Sequence, residues 1–177
     1  MLRQLPNLVS ATRFLLTPFA VRAVIAGDDR TALWLCLLGG ATDFLDGGLA
    51  RRLGETSRSG AILDPLADKF MLNAIYLALW LSRGEWLGAV VIARDVLILA
   101  GSAALFLATR RKDFPPSWLG KISTTIQIGW VVALFIGMSE AFKVFADGVL
   151  LAGTVASGLD YFRRGLNMFR QDGKTPV

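Results

Sequence analysis

The stretch DFLDGGLARRLGETSRSGAILDPLAD, residues 43–68, decides the architecture of this chain. It carries aspartates in two groups, Asp43 and Asp46 before a short polar link and Asp64 and Asp68 after it. Residues three or four positions apart are neighbours on one face of a helix. If both groups are helical, the stretch places four carboxylates on two neighbouring helices that are joined by a tight turn.

Carboxylates this close together need positive charge. Like charges a few ångströms apart raise one another's pKa and are costly to remove from water. Mg²⁺ relieves both problems, since it takes oxygen ligands and usually keeps part of its coordination sphere for substrate phosphates. Taken singly, Asp64 could be a helix cap before a proline, and Asp46 could belong to a turn. The complete set of Asp43, Asp46, Asp64 and Asp68 at these spacings favours a metal site.

The small and basic residues of the same stretch suit a phosphate ligand. Gly47 and Gly60 have no side chain, so a ligand can approach the helix backbone closely. Arg51 offers a planar fork of donors that matches a phosphate. The stretch therefore indicates a phosphorylated substrate beside the metal.

The composition is typical of a membrane protein. Of the 177 residues, 54% are hydrophobic, which exceeds the usual share in a soluble domain. The chain has no histidine, which excludes a histidine general base and histidine-ligated zinc or iron. Cys36 is the single cysteine, so a disulfide cannot form within the chain. The length predicts one domain, residues 1–177, and we expect no nucleic-acid partner.

Six apolar runs are each about 20 residues long or more, which is enough for a helix to cross a hydrocarbon core of about 30 Å. A short interfacial segment, residues 1–7, precedes them. The predicted fold is an all-α integral membrane protein with six transmembrane helices. The runs are Leu8–Gly27, Thr31–Arg51, Ser57–Leu81, Glu85–Thr109, Trp118–Met138 and Ala141–Tyr161.

The basic residues predict the orientation. The outside turns hold only Arg30, Arg83 and Lys143, each near an acidic residue, if the N-terminus is cytoplasmic. The excess of positive charge on the other side predicts that both termini are cytoplasmic. We expect a multi-pass protein of the cell inner (plasma) membrane. The inside segments carry Arg3, Arg51, Arg52, Arg58, Arg110, Arg111, Lys112, Lys121, Arg163, Arg164, Arg170 and Lys174.

The aspartates lie at one depth. Counted from Arg51 and Arg58, both groups are about 9–15 Å below the cytoplasmic interface, where ionisable groups are functional by default and face a polar cavity. A metal site there, open to the cytoplasm, suits a substrate with a diphosphate head and acyl tails, as in two-metal displacement at phosphorus. Asp68, at the end of the array, is the best candidate for accepting the proton of an acceptor hydroxyl.

The pattern Asp-x₂-Asp-Gly-x₂-Ala-Arg-x₈-Gly-x₃-Asp-x₃-Asp, met in full over residues 43–68, resembles the signature of the CDP-alcohol phosphatidyltransferases. Three further blocks, Pro6-Asn7-Leu8, Arg94-Asp95 and Gly120-Lys121, are similar to the branch that makes phosphatidylglycerol phosphate and cardiolipin. The resemblance implies a six-helix, homodimeric membrane enzyme that displaces CMP from CDP-diacylglycerol with an alcohol.

The resemblance also implies roles by position. Asp43 and Asp64 would bridge two metal ions, Mg²⁺ or Mn²⁺; Asp46 would bind one ion, and Asp68 would bind the other and accept the proton. A further set of residues would contact the CDP moiety. These are Asn7, Gly47, Ala50, Arg51, Ser57 and Gly60.

The acceptor side rests on basic residues outside the motif. Arg94 and Asp95 fall mid-span in the fourth helix, and as sequence neighbours they are not expected to face each other. Arg94 could meet an acceptor phosphate or pair with a carboxylate of the aspartate cluster. Arg110 and Lys121 could gather an anionic acceptor, or set the topology and hold acidic lipid headgroups. We predict acceptor binding by Arg94, Lys121 and Arg110.

Two classes of function remain at this point. The leading hypothesis is transfer of a phosphatidyl group from CDP-diacylglycerol to glycerol 3-phosphate or phosphatidylglycerol, an inositol compound being a more distant acceptor. The rival is a divalent-cation transporter or channel, because intramembrane aspartates also mark ion pathways. Residues 33–38 and 75–81, in the outer halves of the two motif helices, are apolar. This asymmetry favours a one-sided pocket.

Overall fold

Six α-helices form the described part of the chain. The computed structural model describes the backbone of residues 5–53, 60–109 and 118–172, and the side chains of residues 12–41, 69–104 and 118–166. The all-helical prediction and the number of helices are confirmed within these ranges. The helices are α1 (Leu5–Ala26), α2 (Asp29–Leu53), α3 (Gly60–Arg83), α4 (Leu87–Thr109), α5 (Trp118–Ile136) and α6 (Glu140–Asp172).

Within the described residues, two predicted boundaries differ from the observed helix ends by three residues or more, and the others lie within two residues of them. The first helix begins at Leu5, so part of the predicted interfacial segment is already helical; Pro6 is tolerated there because the first turn has amides without helical partners. The last helix continues to Asp172, eleven residues beyond Tyr161. One ion pair spans the beginning of this polar extension, because Arg164 Nε lies 2.9 Å from Asp160 Oδ2, one helical turn away.

Some helices of the described part are long and apolar enough to be membrane spans. Within the described side chains, three stretches are long and apolar enough to cross a membrane, Leu87–Ala104, Trp118–Ile136 and Glu140–Leu166. The described side chains of α1, α2 and α3 cover stretches shorter than the ~20 residues of a crossing. The apolar helices indicate a membrane protein.

The contacts divide the chain into two units. Unit 1 contains α1, α2 and α3 together with Phe135–Gly137, and unit 2 contains most of α4 and α5 together with α6. In unit 1, the ring of Phe14 on α1 lies 5.1 Å from the ring of Phe70 on α3. Ile75, Tyr76 and Leu79 of α3 form the buried interior of this unit.

The turn between α1 and α2 follows from local rules. Gly27 has φ of 76°, a conformation that glycine adopts without a Cβ penalty. The amides of Gly27 and Asp28 donate to the carbonyls of Val24 and Ala23, which is the Schellman arrangement at a helix end. The Asp28 carboxylate then caps α2 by accepting from the Thr31 amide at 3.0 Å. The hydroxyl and amide of Thr31 hold the pKa of Asp28 below its ordinary value.

Arg83 joins three helices of unit 1. Its Nη2 lies 2.6 Å from Asp29 Oδ1, and its Nε and Nη2 donate to the Val24 carbonyl at 3.3 and 3.0 Å. The guanidinium carbon also lies 5.9 Å from the Phe135 ring centroid. One side chain at the end of α3 thus satisfies the end of α1 and the beginning of α2.

We expect Arg83→Met to destabilise the protein. The substitution removes charge-assisted hydrogen bonds to a helix-terminal carbonyl and an ion pair, a loss of about 2 kcal/mol, or roughly 4–8 °C in Tm for a chain of this size. Thermal unfolding of the purified protein in detergent measures the shift. The matched control is Arg30→Met, because Arg30 is exposed in the first turn of α2; equal Tm losses in the two variants would contradict the role of Arg83.

Candidate active site

The structure places the motif on helices, as the spacing predicts. Asp43, Asp46, Gly47, Ala50 and Arg51 lie in α2, and Gly60, Asp64 and Asp68 lie in α3. Asn7 lies in the first turns of α1. The side chains of all these residues lie outside the described part, as do Ser57 and Arg110 entirely. Their roles as ligands, base and CDP contacts therefore remain predictions.

The described residues next to the motif show how closely its two helices approach. A methyl group built on Gly39 of α2 would lie 2.7 Å from Sδ of Met71 on α3. Gly39 is four residues before Asp43, and Met71 is three residues after Asp68. Residues at these spacings share a helix face. From this spacing, Asp43 and Asp68 are expected on the sides of α2 and α3 that meet at this contact.

A buried cation lies at the same level of unit 1. Arg13 of α1 is 3% exposed, and the Phe14–Phe70 contact places it beside the beginning of the described part of α3. The Arg13 carbonyl accepts a hydrogen bond of 2.8 Å from the Thr17 hydroxyl. Positive charge is therefore present in the interior near the end of α3 that carries the aspartates.

No other cluster suits a metal in the part of the chain with described side chains. Across residues 12–41, 69–104 and 118–166, no group of three or more acidic or cysteine side chains is placed to hold an ion.

Arg94, which was predicted to bind the acceptor, lies in a buried polar cluster of unit 2. Arg94 and Asp95 are 6% and 8% exposed, and Arg94 Nη1 lies 2.5 Å from Asp95 Oδ1. The expectation that these neighbours do not face each other was wrong, because a long, flexible arginine side chain can fold back onto the next residue. Arg94 Nη2 also donates to the Ser157 hydroxyl of α6.

Three helices of unit 2 meet at this cluster. The guanidinium carbon of Arg94 lies 6.0 Å from the Tyr161 ring centroid. A methyl group built on Gly120 of α5 would lie 3.2 Å from the same ring and 3.8 Å from Arg94 Nη2. Glycine at this position allows α5 to approach the buried guanidinium. The signal for Ser157 and Tyr161 was their spacing of four on α6, which places both on one face.

Lys121 lies next to this cluster in sequence but in a different environment. It is exposed, and its Nζ lies 5.3 Å from the Trp118 ring centroid, within cation–π range. The Thr124 hydroxyl, on the same helix, donates to the Gly120 carbonyl at 3.0 Å. Arg94 and Lys121 thus offer one buried and one exposed positive charge near the beginning of α5.

A second cluster stabilises the other end of α5 and α6. Trp130 Nε1 donates to Asp147 Oδ1 at 2.7 Å, and Lys143 Nζ lies 3.1 Å from Asp147 Oδ2. Lys143 also lies 5.7 Å from the Trp130 ring centroid. All the groups are satisfied within the cluster, which indicates a structural role rather than ligand binding.

A cavity of about 910 Å³ lies between α4 and α6 in unit 2. Its lining is almost entirely apolar, with Leu97, Ile98 and Phe162 among the side chains. Arg94 and Tyr161 are among its polar lining residues. Sequence patterns did not indicate this cavity, because its shape depends on how α4 and α6 pack.

Comparisons with known proteins agree with the motif. The family model for CDP-alcohol phosphatidyltransferases matches residues 3–159. The chain is 30% identical over 173 residues to a CDP-diacylglycerol–glycerol-3-phosphate 3-phosphatidyltransferase of Aquifex aeolicus (strain VF5), covering 92% of this chain and 96% of the relative. It is 28% identical to a probable cardiolipin synthase (CMP-forming) of Drosophila melanogaster over 94% of this chain and 59% of the relative.

The similarity to cardiolipin synthases extends to Homo sapiens, whose enzyme is 29% identical over 91% of this chain and 61% of its own length. The chain thus spans about three fifths of the length of these cardiolipin synthases. Because the family model matches residues 3–159, which is most of the chain and includes the aspartate motif, the chain belongs to the CDP-alcohol phosphatidyltransferase family.

Proposed function

We propose that this chain transfers the phosphatidyl group of CDP-diacylglycerol to a hydroxyl of a glycerol-type acceptor, phosphatidylglycerol or glycerol 3-phosphate, and releases CMP. The product is cardiolipin or phosphatidylglycerol phosphate, so the reaction belongs to phospholipid biosynthesis. One observation carries the proposal: the four-aspartate motif lies on α2 and α3, within the residues that the family model matches. Family membership favours this reaction over cation transport.

The donor set fits a hard divalent cation. Four carboxylates without histidine or cysteine are the oxygen ligands that Mg²⁺ prefers. The close approach of α2 and α3 at Gly39 and Met71 supports convergence of the aspartates one turn further along. Asp43, Asp46, Asp64 and Asp68 would hold two Mg²⁺ ions, or Mn²⁺ in their place. When bound, such ions neutralise a diphosphate and stabilise charge on the transferring phosphorus and its leaving group.

Different residues of the motif have different roles in the transfer reaction. Asp68 accepts the proton of the acceptor hydroxyl. The acceptor oxygen forms the new bond to the phosphatidyl phosphorus, and the bond from that phosphorus to the CMP oxygen breaks, so that CMP leaves with the electron pair. Arg51 binds the diphosphate with two parallel hydrogen bonds. The remaining contacts to the CDP moiety are Asn7, Gly47, Ala50, Ser57 and Gly60.

The acceptor phosphate is assigned to the basic residues of unit 2. Arg94 is buried, and Asp95 and Ser157 fix its guanidinium in one orientation, which suits recognition of an anion by a planar fork. Lys121 adds positive charge near the beginning of α5, and Arg110, which follows α4 in the sequence, is assigned as a further basic contact. A glycerol-type acceptor that carries a phosphate matches this arrangement.

The proposed membrane topology is the one that the sequence predicts. The three membrane spans in α4, α5 and α6 agree with a multi-pass protein. The six apolar runs of the sequence are the basis for six crossings, and the distribution of the basic residues is the basis for cytoplasmic termini and a site open to the cytoplasm. The family model runs through both units, which supports one membrane domain over residues 1–177. We place the enzyme in the cell inner membrane as a homodimer, as the resemblance implies.

The test of the proposal is a transfer assay with three acceptors. Purified protein in detergent receives labelled CDP-diacylglycerol and Mg²⁺, with phosphatidylglycerol, glycerol 3-phosphate or inositol phosphate in separate tubes. We expect CMP release and one labelled lipid product with a glycerol-type acceptor, and no release when EDTA replaces Mg²⁺. Metal-dependent ion flux in liposomes without CMP release in any tube would overturn the proposal in favour of a transporter.

A further inference from the structure

The cavity between α4 and α6 is a groove open to its surroundings. Its volume of about 910 Å³ lies in the ~300–1,000 Å³ range of ligand pockets. Leu97, Leu159 and Phe162, which line it, are still 72%, 52% and 65% exposed, so the groove is accessible from the side. Small residues on both walls make it deep, among them Gly101 on α4 and Gly158 on α6.

The surroundings of this groove are hydrocarbon. Both of its walls belong to stretches that are long and apolar enough to cross a membrane, Leu87–Ala104 and Glu140–Leu166. Between such helices an apolar groove is filled by acyl chains, because water has no hydrogen-bonding partners there. The groove is therefore suited to a lipid tail.

The polar part of the groove adds a charge. Arg94, itself 6% exposed, contributes to the lining. Two of its nitrogens are held by Asp95 and Ser157, while its Nε has no hydrogen-bond acceptor within the described residues. A preoriented guanidinium beside an apolar groove complements a molecule with an anionic group and a long tail.

We propose that the α4–α6 groove binds an acyl chain of the acceptor, with the acceptor phosphate beside Arg94, so that the acceptor is phosphatidylglycerol rather than glycerol 3-phosphate. This inference rests on the proposed phosphatidyl transfer and names its second substrate. Glycerol 3-phosphate has a phosphate for Arg94 but no chain for the groove.

Two other occupants fit less well. An apolar helix from a second copy would fill the groove but would bring no anion to Arg94. The chains of CDP-diacylglycerol would accompany a headgroup that has no assigned contact among the residues lining the groove. A phosphatidyl lipid supplies both the chain and the charge.

The test fills the groove at a glycine. A methyl group built on Gly101 meets no atom within 4 Å, so the backbone at this wall of the groove has room for a side chain, and Gly101→Leu is designed to occupy part of the groove. Gly148→Leu is the matched control, since Gly148 also has open space but does not line the groove. We expect Gly101→Leu to raise the KM for phosphatidylglycerol in mixed micelles about tenfold or more, with the KM for CDP-diacylglycerol unchanged. Gly148→Leu should leave both values unchanged.

A binding readout independent of turnover accompanies the kinetics. Phosphatidylglycerol with a photoreactive diazirine in its acyl chain should label peptides from residues 93–104 in the unmodified protein, and much less in Gly101→Leu. An unchanged KM for phosphatidylglycerol in Gly101→Leu, a tenfold rise in the KM for CDP-diacylglycerol instead, or use of glycerol 3-phosphate alone would each overturn the groove assignment. Labelling of the groove without CMP release would refute the proposed transfer while the groove assignment stands.

Discussion

CMP release is expected to fall by about 100-fold or more when Asp43 or Asp64 is replaced by asparagine. Each aspartate would hold the divalent cations, and an asparagine amide keeps the shape but removes the negative charge and one potential ligating oxygen. The diphosphate of CDP-diacylglycerol then lacks its compensating charge. Initial rates of CMP formation from purified variants measure the loss.

Folding and chemistry must be separated in this experiment. Size-exclusion profiles and Tm in detergent should match the unmodified protein, because removing one of several crowded carboxylates relieves repulsion. The matched control is Asp28→Asn, since asparagine also caps a helix and Asp28 lies in the turn between α1 and α2. Asp28→Asn should retain full activity. Full activity in Asp43→Asn or Asp64→Asn would end the assignment of a metal site.

Hydropathy and glycine predicted most of the fold, for a physical reason. A span must satisfy its own backbone hydrogen bonds in hydrocarbon, so long apolar runs have only the helix available. The turn after α1 was predicted because Gly27 closes the first apolar run. Gly84 and Gly137, which also adopt positive φ, lie within three residues of the ends of two other predicted runs. The end of α6 was missed, because its polar helical extension, which the ion pair of Asp160 and Arg164 spans at its beginning, carries no apolar signal.

The helical placement of the aspartates was also predictable, since a period of three and four is a local property. The convergence of side chains is not local. The pairing of Arg94 with Asp95 and Ser157 depends on the rotamer of a long side chain and on the packing of α6 against α4. Sequence spacing predicts only the directions in which the side chains of Arg94 and Asp95 leave the helix. It does not predict the rotamer with which a long side chain folds back onto its neighbour.

The groove illustrates the same limit. Gly101, Gly158 and Gly165 were ordinary small residues in apolar runs until the packing of α4 and α6 placed them on the two walls of one cavity. Small residues in membrane helices more often allow close helix packing. A glycine lines a cavity or allows close packing according to whether a neighbouring helix fills the space beside it. The periodicity of the sequence does not predict which of these occurs.

Asp68→Asn should lower turnover far more than it weakens donor binding. If Asp68 takes the proton from the acceptor hydroxyl, its removal costs about 10²–10⁴ in kcat. Three carboxylates remain to hold the cations and the donor, so the Kd for CDP-diacylglycerol should change less than about tenfold. Glutamate keeps the proton acceptor but displaces it by one methylene, so Asp68→Glu should recover part of the rate.

The two roles of Asp68 can be separated by measuring both quantities on the same preparations. Donor affinity comes from the stabilisation of the folded protein by CDP-diacylglycerol in the presence of Mg²⁺, since a ligand raises Tm according to its concentration and Kd. A base that is not needed to hold the donor gives a large loss of kcat with a nearly unchanged donor-induced shift in Tm. If Asp68→Asn reduces both equally, Asp68 acts chiefly as a metal ligand, and another group must accept the proton of the attacking hydroxyl.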